Sequence, residues 1–422
     1  MTDTGVKLEG FFRENYGRVL ASLTRYLGGA NMDLAEDSVQ EAMIRAMRVW
    51  PLRGPPRDPA AWLYTAARNH ALDVCRRDAR YRELLTRVVH ESEDHVMPAE
   101  ISESELDDDR LAMIFLCCHP ELESSARTAL TLRSVCGLGT REIARAFLSK
   151  EAAVAQRIVR AKNKIAAAKL NLGMPPAEEL PERLTAVLDV LYLVFNEGYS
   201  HREATGPRPA LTDEALRLIN ILRAHPAGNR PDAAALHALM LLQSSRLKAR
   251  LDDSGVPVPL EEQDRSLWDP ARVNAGLTLM LEAGRGRLMS EYHLLAGIAA
   301  CHATSRSHAS TDWARIASLY ELLLRERPAF TVRVNHAVAV SMRDGPDAGL
   351  ALLESLEAGN EPGNRTGKEV GNDHLLPAAR GEMLRRANRP AQAAGEYARA
   401  ARLAPDEGER RLFERRVRQC ES

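Results

Sequence analysis

The sequence predicts an all-α protein built from several domains, on three observations. Apolar residues recur at spacings of three and four along most of the chain, β-branched runs are short, and aromatic side chains are few. Strand-like alternation is nowhere sustained. At 422 residues the chain is too long for one core, which predicts two or three domains.

In the first helix, "FFRENYGRVLASLTRYLGG", Phe12, Tyr16, Val19, Leu23 and Tyr26 share one stripe, and Gly28-Gly29 ends it. A second helix begins near Asn31 or Asp33 and runs through "LAEDSVQEAMIRAMRVW". Its early carboxylates suit the positive end of the helix dipole, and Pro51 is expected to stop it. After the loop "PLRGPPRDP", Asp58 and Pro59 have the chemistry of a helix cap and first turn for a third helix. These three helices predict a first domain over residues 1–90. Glu91 to Asp109 carries nine carboxylates and no Lys or Arg, the composition of a flexible acidic linker, 91–109. A second helical unit covers 110–172, until the Gly and three prolines of "NLGMPPAEELPE" open a third domain, 173–422.

Within the second unit, Thr140 to Ile165 reads as two short helices with a tight turn, although Leu148 occupies a position where such turns often have Gly. Val154, Ile158, Ala161 and Ile165 make a packing stripe, and Lys150, Arg157, Arg160 and Lys164 form a neighbouring stripe of one sign. Arg127 to Lys169 holds ten basic and two acidic side chains, in a chain whose total charge is only −1. A solvated face usually mixes signs, so this pattern suits a recognition helix fixed on one side and presenting cations to DNA on the other.

Composition excludes several classes. The six cysteines lack paired spacing, the N-terminus lacks a basic-then-apolar leader, and "LTAVLDVLYLVF", interrupted by Asp189, falls short of the ~20 residues that span a bilayer. A soluble protein of a reducing cytoplasm, with no membrane partner, is expected. "CCHP" at Cys117 to Pro120 lacks metal-ligand spacing, and His293 and His302 fall on different helical faces. No HExxH, Walker loop, GxSxG or GxGxxG occurs, so neither an enzyme nor a cofactor is expected.

The segments "DLAEDSVQEAMIRAMRVWP" and "PAAWLYTAARNHALDVCRR", followed by "ARTALTLRSVCGLGTREIARAFLSKEAAVAQRIVRAKNKI", resemble regions two and four of the extracytoplasmic-function group of bacterial RNA polymerase sigma factors. The resemblance covers residues 8 to 170. It implies core RNA polymerase (β′ and β subunits) and promoter DNA as partners, with Asp37, Gln40 and Glu41 docking on the clamp helices of β′. It places the loop from Pro51 to Pro59 and Trp62, Arg68, Asn69, Arg76 and Arg77 at the minus-ten element, although Trp62, as a large aromatic, reads more readily as buried core than as a direct DNA contact. Region four would read the minus-thirty-five element through Gln156, Arg157 and Arg160, with Lys150, Lys162 and Lys164 chiefly on phosphates. The acidic linker would either thread through the polymerase or act as a tether.

The remaining 250 or so residues resemble the C-terminal extension of one subgroup, in which "YLVFNEGYS" and "DRSLWD" stand out. Asn196, Glu197, Tyr199, Asp264, Trp268 and Asp269 are the candidates there, for helix turns, a buried interdomain or regulatory network, or a small pocket. Gly381, Leu384, Ala393, Tyr397, Ala400 and Pro405 match a tetratricopeptide repeat, and a looser copy precedes "EAGNEPGNRTGKEVGND". Such an extension would modulate the sigma factor and receive a protein or small-molecule signal. The rival reading is a helix-turn-helix regulator with a helical-repeat interaction domain.

Overall fold

The computed structural model describes residues 3–85, 103–147, 149–199, 209–286, 289–358 and 373–422. Among them are eighteen α-helices and no strand, only an isolated bridge between Leu251 and Pro257. The chain divides into two compact units, Met1–Val194 and Phe195–Ser422, and the boundary falls inside one helix.

The first unit holds α1 (Asp3–Leu27), α2 (Met32–Arg53), α3 (Pro59–Leu85), α4 (Glu103–Cys117), α5 (Ser124–Ser134), α6 (Thr140–Ala146), α7 (Glu151–Ala167) and most of α8 (Leu180–Tyr199). Helix α1 ends at Leu27 because Gly28 takes φ +84°, a conformation that L side chains rarely adopt. Helix α2 corrects the sequence expectation by continuing through Pro51 to Arg53. In a final turn proline forfeits only its own N–H bond, and the amide of Gly54 still donates to the Trp50 carbonyl at 2.9 Å. Asp58 caps α3 as expected, accepting from the Ala61 amide at 2.9 Å.

The core of this unit is formed by Leu20 and Leu23 of α1, Leu63 of α3, Met113, Ile114 and Phe115 of α4 and Leu130 of α5. Each such side chain contributes about 1.5–3 kcal/mol by leaving water. The acidic stretch at 91–109 falls partly outside the described residues; from Glu103 onward it is already helix α4, and Asp109 is buried against Arg25 of α1. Helix α8 is tied into the unit by Arg183, whose guanidinium donates to the Phe115 carbonyl at 2.9 Å.

The second unit contains α9 (Pro209–Ala224), α10 (Pro231–Ser244), α11 (Pro270–Ala283), α12 (Glu291–Thr304), α13 (Trp313–Glu326), α14 (Phe330–Asp344), α15 (Pro346–Glu357), α16 (Leu375–Arg386), α17 (Pro390–Leu403) and α18 (Glu407–Glu421). The last five pack successively around Phe330, Leu353, Leu376, Met383, Tyr397 and Phe413. Gly381 on α16 lets the Tyr397 ring of α17 approach so closely that a Cβ would stand 3.0 Å from it. Most of the Gly/Asn-rich insertion lies outside the described residues.

Candidate polymerase and nucleic-acid interface

Helix α2 has two faces with different chemistry. Ala35, Glu36, Ser38, Val39, Ala42, Ala46 and Trp50 are buried. On the opposite side Asp37, Gln40 and Glu41 are exposed, so all three expected docking residues are brought together. Sequence reasoning missed Ile44 and Met47, which continue that stripe and remain 37% and 51% exposed. Their signal was legible as large apolar residues at three- and four-residue spacing from carboxylates. A partner of mixed apolar and basic character fits such a stripe.

Helix α3 is fixed to α2 by an aromatic cluster. Trp62 is half-buried with its ring 5.5 Å from that of Trp50, which Phe11 and Phe12 also contact at 5.7 Å. His70 Nδ1 lies 3.1 Å from Ser38 Oγ. Of the expected minus-ten cations, Arg76 and Arg77 are exposed, as is Asn69, whereas Arg68 is buried with its guanidinium 4.8 Å above the Tyr26 ring. In this arrangement Arg68 is a packing cation.

Helices α6 and α7 form the pair expected from Thr140 to Ile165. The Glu142 carboxylate reaches back to the Gly139 amide at 2.7 Å and starts α6. Leu148, the residue expected in the turn, lies outside the described residues. The stripe of Val154, Ile158, Ala161 and Ile165 is buried. Lys150, Gln156, Arg160 and Lys164 are exposed and Arg157 is half-buried. Arg157, Arg160 and Lys164 line a cleft of about 220 Å³ whose far wall carries Glu121 and Glu123.

Lys162 is placed differently from its neighbours. It is buried, and its ammonium sits 2.9 Å from Glu36 Oε1 and 2.7 Å from Asp33 Oδ1, both on α2. Arg133 Nε stands 3.4 Å from Glu36 Oε2, and the Ser134 hydroxyl donates to Oε1 at 3.3 Å. Lys162 is therefore not open to phosphate here. Two glycines make the same contact possible: a Cβ on Gly17 would lie 2.1 Å from the Val135 carbonyl oxygen, and one on Gly29 would lie 2.6 Å from that of Leu170. The helices resembling regions two and four are thus closed onto each other.

In the second unit the singled-out residues occupy turns and packing positions. Asp264 accepts from the Ser266 amide at 2.9 Å, and its carboxyl is held below the usual range by bonds from the Ser266 hydroxyl and then that amide. Asp269 caps α11, accepting from the amides of Ala271 at 2.9 Å and Arg272 at 3.1 Å. Trp268 is buried under the Arg265 guanidinium, 4.7 Å from the ring centre. Tyr199 stacks on Phe195 at 5.6 Å, carries the Arg250 guanidinium 3.8 Å above its ring, and accepts from Arg246 at 2.8 Å. Glu197 is buried and Asn196 half-buried; Ser200 lies outside the described residues. Among the described residues no group of three His, Cys, Asp or Glu is arranged to hold a metal, and no helix is long and apolar enough to cross a membrane.

Comparison with known families follows this division. Residues 11–81 match sigma-70 region 2 and residues 112–165 match sigma-70 region 4. Residues 183–284 match a family of unknown function (DUF6596). Over 416 residues the chain is 40% identical to an uncharacterized protein of Rhizobium meliloti (strain 1021), covering 97% of this chain and 94% of that one. No solved structure matches.

Proposed function

Because this chain belongs to one family with the Rhizobium protein and carries sigma-70 regions 2 and 4 ahead of a DUF6596 segment, we propose that it is a sigma factor of the extracytoplasmic-function group. It binds core RNA polymerase, recognises promoter DNA in two places and helps melt it, while the polymerase supplies the chemistry. The observation that carries this reading is the order of the two regions, with an exposed Asp37, Gln40, Glu41, Ile44 and Met47 stripe on the first and exposed cations on the second. A simple repressor has no use for that stripe.

In this reading the α2 stripe docks on the β′ clamp helices, and β holds the second region. Asn69, Arg76 and Arg77 follow the minus-ten strand, with Trp62 beside the loop from Pro51 to Pro59. Gln156, Arg157 and Arg160 read base edges, and Lys150 and Lys164 hold phosphates. Elements about 25 base pairs apart lie on the order of 85 Å apart on B-DNA. Two regions joined through a 2.9 Å ion pair cannot reach both at once. Closure is therefore the state of the free chain; docking on polymerase separates the regions, and only then does Lys162 become free for DNA.

The C-terminal helices act as a tetratricopeptide-like regulatory extension, supported by the seating of Tyr397 on Gly381 and the burial of Leu384, Ala393 and Ala400. Asn196, Glu197, Tyr199, Asp264, Trp268 and Asp269 shape that extension. The decisive experiment is transcription by purified chain with core polymerase on a promoter library. Defined start sites are expected, and loss of them when Asp37→Arg and Gln40→Ala are combined. Unaffected transcription in that variant would refute the docking assignment.

A further inference from the structure

Between α10 and α11 the stretch "LDDSGVPVPLEEQ", Leu251 to Gln263, forms no α-helix. Asp252 Oδ1 organises its bend by accepting from Ser254 Oγ at 2.7 Å, the Val256 amide at 2.9 Å and the Ser254 amide at 3.0 Å. Two prolines, Pro257 and Pro259, then fix the backbone dihedrals and favour an extended run. This strap lies on the shared face of α14, α16 and α18, the alternate helices of the C-terminal series.

Both ends are anchored: at the first, Asp252 sits 3.4 Å from Arg415 and Arg411 donates to the Ser254 carbonyl at 3.3 Å, both from α18, and at the second the attachment is acidic. Glu261 sits 3.1 Å from Arg385 of α16 and 3.2 Å from Arg416 of α18. Glu262 sits 2.6 Å from Arg416 and 3.7 Å from Arg415. Arg416 is only 7% exposed, so it holds these carboxylates where water screens them poorly. Beside them a cavity of about 320 Å³ separates Val258 and Leu260 from Val338, Met342, Ala378 and Leu412. The strap therefore underfills the apolar part of its groove. Within Pro257 to Glu262 the amides of Val258 and Glu262 bond locally, to the carbonyls of Arg250 and Pro259. Pro257 to Glu262, the segment beyond the anchored bend, is held to the helices by two side-chain carboxylates beside a partly empty pocket, and such an occupant is exchangeable.

We propose that the face of α14, α16 and α18 is a groove for an extended acidic peptide of a partner protein. That peptide carries a large apolar residue followed by two adjacent carboxylates, and the chain's own Pro257 to Glu262 is a built-in competitor that it displaces. Charge complementarity with Arg385, Arg415 and Arg416 and the strap already seated there select this occupant. The inference does not depend on what the N-terminal regions do.

The test uses full-length chain and a fluorescein-labelled peptide of sequence VPVPLEEQD, followed by anisotropy. Glu261→Ala with Glu262→Ala loosens the strap and is expected to bind the peptide at least tenfold more tightly than the unaltered chain. A peptide with both glutamates replaced by glutamine is expected to lose at least tenfold, a comparison that leaves the protein intact. Excess peptide added to the unaltered chain is expected to speed hydrogen exchange at the amides of Val258, Glu261 and Glu262. No binding to the loosened chain with helical content unchanged, or no acceleration of exchange, would overturn the proposal. So would equal binding of a single-stranded oligonucleotide, which would make the arginines a general anion patch.

Discussion

Removing the Lys162 ammonium tests whether the closed arrangement of the first unit is held electrostatically. Glu36 is buried, and its Oε1 would keep only the Ser134 hydroxyl at 3.3 Å, while Oε2 keeps Arg133 at 3.4 Å. Breaking a buried pair by deleting one partner costs about 3–5 kcal/mol, and the retained arginine puts Lys162→Ala near the lower end, about 3 kcal/mol. Asp33 adds little, because its side chain is 82% exposed. Opening the unit hydrates the stranded carboxylate, so the cost shifts the opening equilibrium by up to about a hundredfold, at 1.4 kcal/mol per tenfold. Hydrogen exchange in α7 should quicken in proportion. Glu36→Ala should open the unit equally while leaving the DNA-facing lysine in place, and should raise affinity for a minus-thirty-five duplex. The double variant Glu36→Met, Lys162→Met buries two apolar chains instead and should recover most of the closure. A coupling below about 0.5 kcal/mol in the cycle closed by the double variant Glu36→Ala, Lys162→Ala, or unchanged exchange in both single variants, would refute the reasoning.

Other perturbations separate roles along the chain. Arg157→Ala should cost about 1–3 kcal/mol in promoter binding and relax preference at one base pair, whereas Lys164→Ala should weaken binding on all sequences alike, read by competition binding at fixed salt. Asp269→Ala removes the cap of α11 and should lower stability by about 1 kcal/mol in urea unfolding, without altering the neighbouring Trp268 fluorescence maximum in the folded state. Burial first, then the Arg223 guanidinium, lowers the His237 pKa to about 4, so the folded chain keeps it neutral. Its unfolded form takes up a proton below about 6.5, so stability falls as pH drops from 6.5 towards 4, by about 2 kcal/mol at pH 5. His237→Leu should flatten that part of the pH profile of the melting temperature.

Local signals carried far along this chain. The Asp58 cap, the end of α1 at its glycines, and the stripe of Val154, Ile158, Ala161 and Ile165 each follow from chemistry within a turn or two. What local reading missed is tertiary. Charge alone groups Lys162 with Lys164, yet it lies four residues after Ile158 and three before Ile165, on the apolar stripe itself. A lysine in that position requires a buried partner, and Glu36, beside Ala35 and three before Val39, makes the matching demand on α2. Each half of the pair was legible; their pairing, across more than a hundred residues, was not. Likewise Pro51 signals a stop only by the propensity of helix interiors, whereas here it sits in a final turn.

The glycines at the closed contact carry a consequence for solution conditions. Gly17 and Gly29 admit the carbonyls of Val135 and Leu170, contacts with no charge for salt to screen, and the ion pair between Glu36 and Lys162 is itself shielded from water. Promoter binding by exposed cations weakens steeply as ionic strength rises. Salt therefore acts unequally on the two competing states: it weakens the open, promoter-bound one and leaves the closed one largely untouched.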